Sequence, residues 1–381
     1  KFLPFSRPTI SRAAIQEVAA CLESGWLTTG PRSAKFEELM REYFGAPHAL
    51  ACLNATMGLW MALKAIGLKP GDEVITSPLT FVATLNTIVL AGGRPVLVDV
   101  EPGTYNLEVK KLASAITKKT RAIMPVHFAG CPCDLGKIYA LAKKHQLRVI
   151  EDCAHAVGTA YKGKRLGSFG DIQVFSFHPN KNMTTGEGGA VVTRDAAVAK
   201  SVEIQRFHGI DRAGFTRHSK IPGLGHYDVV EPGLKSNFMD LQAALGLHQL
   251  PALESFNKKR RTMAERYLKK LRGIPGLRLP TPPRYAHTHA WHLFAPVVER
   301  GAKVDRDSLM VELKKRHIGT GLHYTACHLH SYYQQNFGWR RGDFPQAERI
   351  SDGILSLPLF PTLSLRDQDR VIRAMREILG K

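Results

Sequence analysis

Short apolar runs alternate with amphipathic stretches between about residue 30 and residue 250 of the chain. Strand and helix repeated in this way are typical of βαβ units, which build a parallel sheet covered by helices on both faces. The pattern therefore predicts an α/β fold whose large domain is built on a mostly parallel seven-stranded sheet. The predicted strands are 48–53, 73–76, 94–100, 121–127, 147–152, 171–177 and 189–193, and the predicted helices between them are 56–67, 80–91, 109–117 and 135–145.

The last third of the chain has a different pattern. A long helical period covers 239–271, interrupted at Pro251, and a proline-rich turn follows at 279–285. A chain of 381 residues is too long for one small core, so we expect a large domain at 1–250 and a smaller C-terminal α+β domain at 251–381. The smaller domain is predicted to contain strand 290–298, helix 305–316, strand 318–324 and helix 364–379.

The chain is strongly basic, because 53 Lys and Arg against 33 Asp and Glu give a net charge of +20. Such a chain can bind nucleic acid, since basic side chains displace the counterions of phosphates. The basic residues are nevertheless spread singly or in pairs along the predicted helices, and no DNA- or RNA-binding motif accompanies them. A solvated basic surface that attracts an anionic small substrate is the better interpretation.

The cysteines and the lengths of the apolar runs indicate the cellular compartment. The six cysteines, at 21, 52, 131, 133, 153 and 327, mostly lie in apolar segments, as buried reduced thiols do, which favours the cytoplasm. Cys131 and Cys133 could form a metal or redox pair, but no second pair accompanies them and no metal site is predicted. No apolar run approaches the roughly 20 residues of a membrane helix and no secretory segment follows Lys1, so membrane insertion is not expected.

Polar side chains follow three of the predicted strands. They are Asn54 and Thr56 after strand 48–53, Asp152 and His155 after strand 147–152, and Ser176, His178 and Lys181 after strand 171–177. Open parallel sheets bind their ligands beyond the carboxyl ends of the strands. We therefore expect these side chains to meet at one ligand site.

Each of these residues alone has an ordinary structural interpretation: Thr56 as an N-cap, Asp152 as a helix cap or ion-pair partner, and Lys181 as a solvated surface lysine. Together they indicate pyridoxal phosphate. A partly desolvated lysine can form a Schiff base, a carboxylate can pair with the pyridinium nitrogen, and a helix N-terminus with hydroxyls can hold the phosphate. The glycines of TTGEGGA, residues 184–190, either allow close backbone approach to the cofactor or make a tight turn into the next strand.

Motifs along nearly the whole chain resemble a known family. They include LPFSRPTI (3–10), LESGWLTTGP (22–31), DEVITSPLTFVATLN (72–86), RPVLVDVEPGTYNL (94–107), VIEDCAHAVGT, FSFHPNKNMTTGEGG, GLKSNFMDLQAAL (233–245) and HAWHLF (289–294). With these motifs, in this order, the chain resembles the sugar-nucleotide aminotransferases of the DegT/DnrJ/EryC1/StrS family. The resemblance implies the fold type I architecture of pyridoxal-phosphate-dependent transferases.

The resemblance also implies roles for residues. Lys181 would be the catalytic lysine that bonds the cofactor aldehyde. The other implied cofactor contacts are Asp152 with the pyridinium nitrogen, His155 near the ring oxygen, Phe81 on the ring face, Thr56, the Met57 backbone and Ser176 with the phosphate, and Asn237 with the phosphate of the neighbouring subunit. Asn237 thereby implies a homodimer with shared active sites. His323, Tyr324 and Trp26 would line the sugar-nucleotide side.

Within the family, the chain is most similar to the members that make UDP-4-amino-4-deoxy-L-arabinose. The implied reaction moves an amino group from glutamate to the C4 ketone of a UDP-linked pentose, with 2-oxoglutarate as the second product, in lipid A modification. Asn54, Leu53 and the Pro179-Asn180 pair depart from that pattern, so a UDP-4-keto-6-deoxy-hexosamine is the alternative substrate. One methyl group contributes only about 1–3 kcal/mol to substrate discrimination.

Two hypotheses of other classes are a non-catalytic sugar-nucleotide-binding protein and a basic nucleic-acid-binding protein. Family members that lack transaminase activity have histidine in place of the lysine, so Lys181 argues against the first. The sequence also leaves open which arginine binds the donor carboxylate, with Arg206 and Arg212 as the candidates.

Overall fold

Seven strands form one central sheet, as predicted. A computed structural model describes residues 1–211 and 227–380. The sheet strands are β1 His48–Cys52, β2 Glu73–Thr76, β3 Arg94–Leu97, β4 Thr120–Ile123, β5 Arg148–Asp152, β8 Ile172–Ser176 and β9 Gly189–Thr193. Their order across the sheet is β1-β9-β8-β5-β4-β2-β3. Strand β9 is antiparallel to both neighbours and every other pair is parallel, so the sheet is mostly parallel.

The remaining strands have two residues each. They are β6 Ala160–Tyr161, β7 Lys164–Arg165, β10 Ile210–Asp211, β11 Asp228–Val229, β12 Leu277–Arg278, β13 His287–Thr288 and β14 Val297–Val298. Strands β6, β7 and β13 form a three-stranded sheet, and the other four form two pairs. Strand β13, from the last third of the chain, therefore hydrogen-bonds to a hairpin that follows the end of β5.

Helices pack on both faces of the central sheet. They are α1 Arg12–Glu23, α2 Pro31–Phe44, α3 Ala55–Ala65, α4 Ala83–Leu90, α5 Leu112–Ala115, α6 Leu135–Lys144, α7 Ala196–Gln205, α8 Asp240–Leu271, α9 Arg306–Lys315, α10 Ser331–Phe337, α11 Pro345–Gly353 and α12 Leu365–Leu379. Alternate residues of a strand enter different cores: Ala190 and Val192 pack with helices α2 and α6, whereas Val191 packs with α3 and α7. This is the pattern of a sheet that is covered on both sides.

Two predicted helices differ in extent. The helix expected at 80–91 begins only at Ala83. The helix expected at 109–117 is a 3₁₀ turn, Val109–Lys111, followed by the short α5, and Ile116 already has an extended backbone. The β-branched Ile116 and Thr117 follow there, and such residues are poor helix formers.

The long helix α8 runs through Pro251 without the predicted interruption. Proline removes one backbone hydrogen bond from a helix, but Pro251 is exposed, so water can bind the carbonyl that is left free. The first half of α8 packs into the core under the sheet through Leu250 and Leu253. Its second half packs into a separate C-terminal core through Met263 and Tyr267. Burial on both sides stabilises the helix as one element.

The predicted strands of the C-terminal part are largely wrong. Within 290–298 only Val297–Val298 is a strand, because Trp291 has a left-handed φ of 48° and Ala290 and His292 donate to the backbone of residues 129–130 instead of a sheet partner. Within 318–324 only isolated bridges form, from Ile318 to Leu3 and from Gly321 to Ser356. Helices α9 and α12 confirm the predictions at 305–316 and 364–379.

The C-terminal core gathers α8, α9 and α12 around residues such as Phe294 and Leu313, and Leu3 from the start of the chain packs in it. The boundary at residue 250 between a large and a small domain stays a prediction. Among the described residues, no helix combines the length and the apolar character that a membrane crossing requires.

Candidate active site

The carboxyl ends of β1, β8 and β5 and the start of β9 meet at one edge of the sheet, where a cavity of about 520 Å³ opens. Strand β8 leads directly towards this edge, since Ser176 is its last residue and lies opposite Gly189. Eight of the predicted site residues line the cavity: Thr56, Phe81, Asp152, His155, Ser176, Lys181, His323 and Tyr324. The expectation that these side chains meet in one place is confirmed, and their roles there stay predictions.

Lys181 enters the cavity from the loop that follows β8. Its backbone N–H donates to the carbonyl of His178 at 2.9 Å, which closes a turn that contains Pro179. Burial lowers the pKa of the Lys181 amine from its ordinary 10.5 to about 8, although the Asp152 carboxylate acts in the opposite direction. At pH 7 roughly one amine in ten is then neutral. The prediction of a partly desolvated lysine is confirmed, and the alternative of a solvated surface lysine is wrong.

Asp152 is the last residue of β5 and is buried. Its Oδ2 accepts from the Thr84 hydroxyl at 2.8 Å and its Oδ1 from the Ala154 N–H at 3.1 Å. Burial raises the pKa of this carboxyl, while those two hydrogen bonds and the Lys181 amine lower it. A carboxylate in this setting can bind a cationic N–H group that enters the cavity.

Two threonines that were not predicted from the sequence, Thr80 and Thr84, support this carboxylate. The Thr84 hydroxyl donates its proton to Asp152. In the contact between the Thr80 and Thr84 hydroxyls, which are 2.8 Å apart, Thr80 is therefore the donor. Thr80 lies just before α4 and Thr84 in its first turn, both within the motif at 72–86. In the helix predicted at 80–91 their spacing of four residues would place them on one side, which is the signal that could have found them.

The N-terminus of α3 forms a second wall of the cavity. Asn54, not Thr56, is its N-cap, because the Asn54 side chain accepts from the Met57 N–H at 2.9 Å. The interpretation of Thr56 as the cap is therefore wrong, and the N–H groups of Ala55 and Thr56 have no acceptor among the described residues. Free N–H groups at the start of a helix bind anions. The Met57 N–H, by contrast, is already engaged within the chain.

Glycines bring β9 close to this helix. A Cβ on Gly189 would lie 2.6 Å from the Ala55 nitrogen, so glycine is required for the approach. Gly186, three residues earlier, has a φ of 83° and forms the turn before the strand. Close approach and a tight turn are thus both present, at different glycines.

Aromatic residues also line the cavity. Phe81 is 55% exposed, so its alternative interpretation as ordinary core packing is wrong, and its ring lies 5.8 Å from that of Tyr324. His323 is bonded through Nδ1 to the hydroxyl of Ser356 at 2.9 Å. Burial and the Lys181 amine lower the pKa of His323 to about 4, so this imidazole is neutral at pH 7.

His155 is held by two hydrogen bonds. Its Nδ1 accepts from the Ala129 N–H at 3.2 Å, and its Nε2 lies 2.9 Å from the hydroxyl of Tyr324. Burial and the nearby Lys181 amine hold the pKa of His155 well below its ordinary 6.5. The ring is therefore neutral with its one proton on Nε2.

Three predicted site residues lie outside the cavity wall. Met57 is the residue whose N–H is engaged by Asn54. Asn237 donates through Nδ2 to the hydroxyl of Thr29 at 2.7 Å. Trp26 is exposed and donates through Nε1 to the carbonyl of the same Thr29 at 3.1 Å. Trp26 and Asn237, far apart in sequence, thus both bond to Thr29.

Neither candidate arginine lines the cavity within the described part of the chain. Arg206 is paired with Glu37 and also donates to the carbonyl of Ala51 at 2.8 Å. Arg212 lies outside the described residues. The described cavity wall offers Lys181 as a cation, with His178 and Asn180 as further polar groups near its mouth.

The cysteines are buried free thiols, as predicted. Burial raises the pKa of the Cys131 thiol to about 12, and the Cys133 thiol donates to the carbonyl of Val126 at 3.2 Å. Buried thiols of this kind are inert. The interpretation of Cys131 and Cys133 as a redox pair therefore has no support in their surroundings.

A second group with metal-binding side chains is buried: His127, Glu151 and Cys153. His127 Nδ1 accepts from the Cys133 N–H at 3.0 Å. Its proton is therefore on Nε2, which donates to Glu151 at 2.9 Å. A ring with one nitrogen accepting and the other protonated has no lone pair left for a metal, so this group is a hydrogen-bond network.

Comparison with known proteins gives a consistent result. Residues 8–376 match the DegT/DnrJ/EryC1/StrS aminotransferase family. The chain is 46% identical over 383 aligned residues to the spore coat polysaccharide biosynthesis protein SpsC of Bacillus subtilis, covering 99% of this chain and 97% of that one. Spr1654 of Streptococcus pneumoniae, described as a sugar aminotransferase in its PLP form, superposes with a TM-score of 0.91 at 31% identity, covering 99% and 98%. PseC of Helicobacter pylori, an aminotransferase of pseudoaminic acid biosynthesis, gives 0.91 at 29% identity, covering 100% and 99%.

The chain belongs to the DegT/DnrJ/EryC1/StrS aminotransferase family. It is an enzyme, a sugar aminotransferase that depends on pyridoxal phosphate and has the fold of those transferases. The arabinose-type member that the sequence suggested finds no support in these relatives, whose names concern other sugars and polysaccharides.

The cavity fits this cofactor. It presents a half-buried amine at Lys181, a buried carboxylate at Asp152, and the free N–H groups of Ala55 and Thr56 where Gly189 lets the backbone come close. These are the three kinds of group that an aldehyde, a pyridine nitrogen and a phosphate require.

Proposed function

We propose that the enzyme transfers an amino group from glutamate to the C4 ketone of a UDP-linked sugar. The observation that carries the proposal is the placement of the Lys181 amine and the Asp152 carboxylate on the wall of one cavity, each affecting the pKa of the other. A nucleophile and an anion held in this way match the two reactive ends of pyridoxal phosphate.

Pyridoxal phosphate, when bound, supplies an electron sink that makes a proton next to the amino nitrogen labile. Lys181 would hold the cofactor through its amine and, when freed, accept and return that proton, which a lowered pKa favours near neutral pH. Asp152 would hold the proton on the pyridine nitrogen. Thr56, Ser176 and the start of α3 would bind the phosphate, and Phe81 would cover the ring.

The sugar side of the cavity is formed by the loop 322–324. His323 is a neutral imidazole there, and Leu322 and Tyr324 flank it. Neutral polar groups suit recognition of sugar hydroxyls, which donate and accept hydrogen bonds. The basic net charge of +20 favours the approach of a nucleotide diphosphate and a dicarboxylate donor.

A homodimer with shared sites is part of the proposal. The first 30 residues expose the apolar side chains of Phe2, Ile15, Leu22, Trp26 and Leu27, and exposed apolar clusters are typical of protein interfaces. In such a dimer Asn237 would reach the neighbouring phosphate, and Trp26 the neighbouring sugar site. Free buried cysteines are consistent with the proposed cytoplasmic location.

The reaction is tested with purified enzyme, glutamate and two sugars, a UDP-4-keto pentose and a UDP-4-keto-6-deoxy-hexosamine, with 2-oxoglutarate as the measured product. We expect turnover with at least one of them, and the ratio of kcat/KM identifies which. Lys181→Ala should reduce turnover roughly a thousandfold or more. Lys164→Ala, a change of an exposed lysine on β7, should not.

Borohydride reduction of the holoenzyme should attach the cofactor to the peptide that contains Lys181. Normal turnover in Lys181→Ala would disprove the catalytic role of the lysine, and rejection of both sugars would disprove the proposed substrate class.

Shared sites are tested by mixing two inactive variants, Lys181→Ala and Asn237→Asp. Asn237→Asp would place a carboxylate against the neighbouring phosphate. A mixed dimer has one site with both native residues, so activity should reappear on mixing. No recovery, with subunit exchange shown by a tagged copy, would contradict the shared site.

A further inference from the structure

Both ring nitrogens of His155 are already used within the chain. Nδ1 accepts the Ala129 N–H, and the proton on Nε2 points to the Tyr324 oxygen at 2.9 Å. The rings of His155 and Tyr324 are nearly parallel, with an interplanar angle of 17°, and His292 packs against His155 with ring centroids 4.5 Å apart. This packing fixes the direction of the Nε2–H bond. His155 therefore has no donor left for a ligand in the cavity.

The Tyr324 hydroxyl, by contrast, has its own proton free. It accepts from His155, and no acceptor for its O–H exists in residues 1–211 and 227–380. Burial and the Asp152 carboxylate raise the pKa of Tyr324, so the hydroxyl keeps this proton. Since Tyr324 lines the cavity, the free O–H is available to a bound ligand.

The position of Tyr324 identifies which end of the ligand it meets. Its ring lies 5.8 Å from Phe81, and Asp152 is close enough to affect its pKa. Phe81 and Asp152 are the proposed partners of the pyridine ring, so Tyr324 belongs to the ring end of the cavity. On that ring the nitrogen, the aldehyde and the phosphate arm already have proposed partners, and the 3-oxygen is the polar substituent that remains.

We propose that the Tyr324 hydroxyl, and not His155, donates the hydrogen bond to the 3-oxygen of the cofactor. His155 is then a positioning residue, which holds the Tyr324 oxygen through Nε2 and so directs its proton into the cavity. This inference rests on the proposed placement of the cofactor ring. It does not depend on which sugar or amino donor the enzyme uses.

The test compares two ligands, pyridoxal phosphate and its 3-deoxy analogue, which lacks the oxygen, in binding to cofactor-free protein. In Tyr324→Phe, the affinity for pyridoxal phosphate should fall about ten- to a hundredfold, the range for a hydrogen bond to a charged oxygen. The affinity for the analogue should stay within about twofold of wild type. Tyr332→Phe, a change of an exposed tyrosine on α10, is the matched control and should alter neither affinity.

His155→Phe keeps an aromatic ring beside Tyr324 but removes the Nε2–H. Its selective loss for pyridoxal phosphate should be smaller than that of Tyr324→Phe, because the hydroxyl is still present though less well oriented. Equal losses for both ligands in Tyr324→Phe, or a larger selective loss in His155→Phe, would overturn the proposal. Failure of the wild-type protein to bind pyridoxal phosphate would instead refute the proposed function, so the two failures are distinguishable.

Discussion

Two neighbouring carboxylates at the end of β5 have opposite surroundings. Glu151 is completely buried, and its oxygens accept from the Tyr139 hydroxyl at 2.6 Å, the Gln173 amide at 2.7 Å and His127 Nε2 at 2.9 Å. Asp152, one residue on, points to the other side of the sheet and accepts from one hydroxyl and one N–H. Donors of the chain therefore satisfy both oxygens of Glu151, whereas Asp152 can accept a further hydrogen bond from the cavity side.

The two histidines next to these carboxylates repeat the contrast. His127 accepts from the Cys133 N–H at one nitrogen and donates to Glu151 from the other. Both of its nitrogens are therefore bonded to groups that do not face the cavity. His155 is also bonded at both nitrogens, but its partner, the Tyr324 hydroxyl, still has an O–H group that can donate to a ligand in the cavity. Buried polar groups that are fully satisfied stabilise a fold, whereas those that lead to a free donor or acceptor prepare a ligand site. The comparison therefore separates structural from functional residues on one strand.

The largest expected effect is on the cavity side. Asp152→Asn removes the negative charge but keeps the shape of the side chain, so turnover should fall about a thousandfold, in the range found when one electrostatic contact to a reacting group is lost. The free energy of unfolding of the cofactor-free protein should change by less than about 1 kcal/mol, because the amide oxygen can still accept from the Ala154 N–H and the Thr84 hydroxyl can rotate to accept from the new NH₂ group. Single-turnover kinetics and urea unfolding measure the two quantities. A loss of stability as large as that expected for Glu151→Gln would show that Asp152, too, serves mainly to stabilise the fold.

The matched change on the core side is Glu151→Gln. One of the two oxygens becomes an NH₂ group that faces a donor, either His127 or the pair Tyr139 and Gln173, so at least one buried donor loses its acceptor. We expect the free energy of unfolding to fall by about 2–4 kcal/mol. Turnover per folded molecule should remain within about threefold of wild type. A drop in turnover like that of Asp152→Asn, at unchanged stability, would contradict the structural role of Glu151.

The third prediction concerns the stability of cofactor-free protein against pH. The folded pKa of Lys181 is about 8 and its ordinary value is 10.5, so between these values the unfolded chain binds a proton that the folded chain does not. Lys181 therefore destabilises the fold most below pH 8, and this effect is relieved as the pH rises to about 10.5. Lys181→Met should be more stable than wild type at pH 7 by on the order of 1–3 kcal/mol, and the gain should vanish near pH 10.5.

The control for this prediction is Lys164→Met, on an exposed strand. Urea unfolding of both variants across pH 6.5–10.5 separates the constant effect of packing a methionine from the part that changes with pH. If the free energy of unfolding of Lys181→Met differed from that of wild type by the same amount at every pH, the Lys181 amine would be solvated like that of an ordinary surface lysine.

How much of this was predictable depends on the range of the interactions. The seven sheet strands follow from local apolar runs, and Asp152 and Lys181 meet because parallel strands end at a common edge. The failure at 290–298 has a nonlocal cause, because Trp291 adopts a left-handed φ where the loop bonds to residues 129–130. Propensity carries no information about such a contact.

The hydrogen-bond partners of the site residues could not be predicted from the sequence either. The tautomer of His155 depends on the Ala129 N–H, 26 residues away in sequence, and the cap of α3 is Asn54 because its backbone, unlike that of Thr56, is extended. A sequence can predict which residue types line a site. Which of them carries the free proton is decided by hydrogen bonds that only the tertiary structure forms.

The smallest expected effect concerns two threonines of α4, Thr84 and Thr87. Thr84→Val keeps the shape of the side chain but removes the hydroxyl that donates to Asp152, so the affinity for pyridoxal phosphate should fall about fivefold, equivalent to about 1 kcal/mol. Thr87→Val is the control, because this buried hydroxyl donates to the Thr84 carbonyl and not to the carboxylate. Thr84→Val removes two buried hydrogen bonds, the one to Asp152 and the one from Thr80, whereas Thr87→Val removes one. Both variants should therefore lose stability, Thr84→Val the more, but only Thr84→Val should weaken cofactor binding. Equal weakening in the two variants would mean that α4 acts on the site through its packing, and that the carboxylate does not depend on its threonine donor.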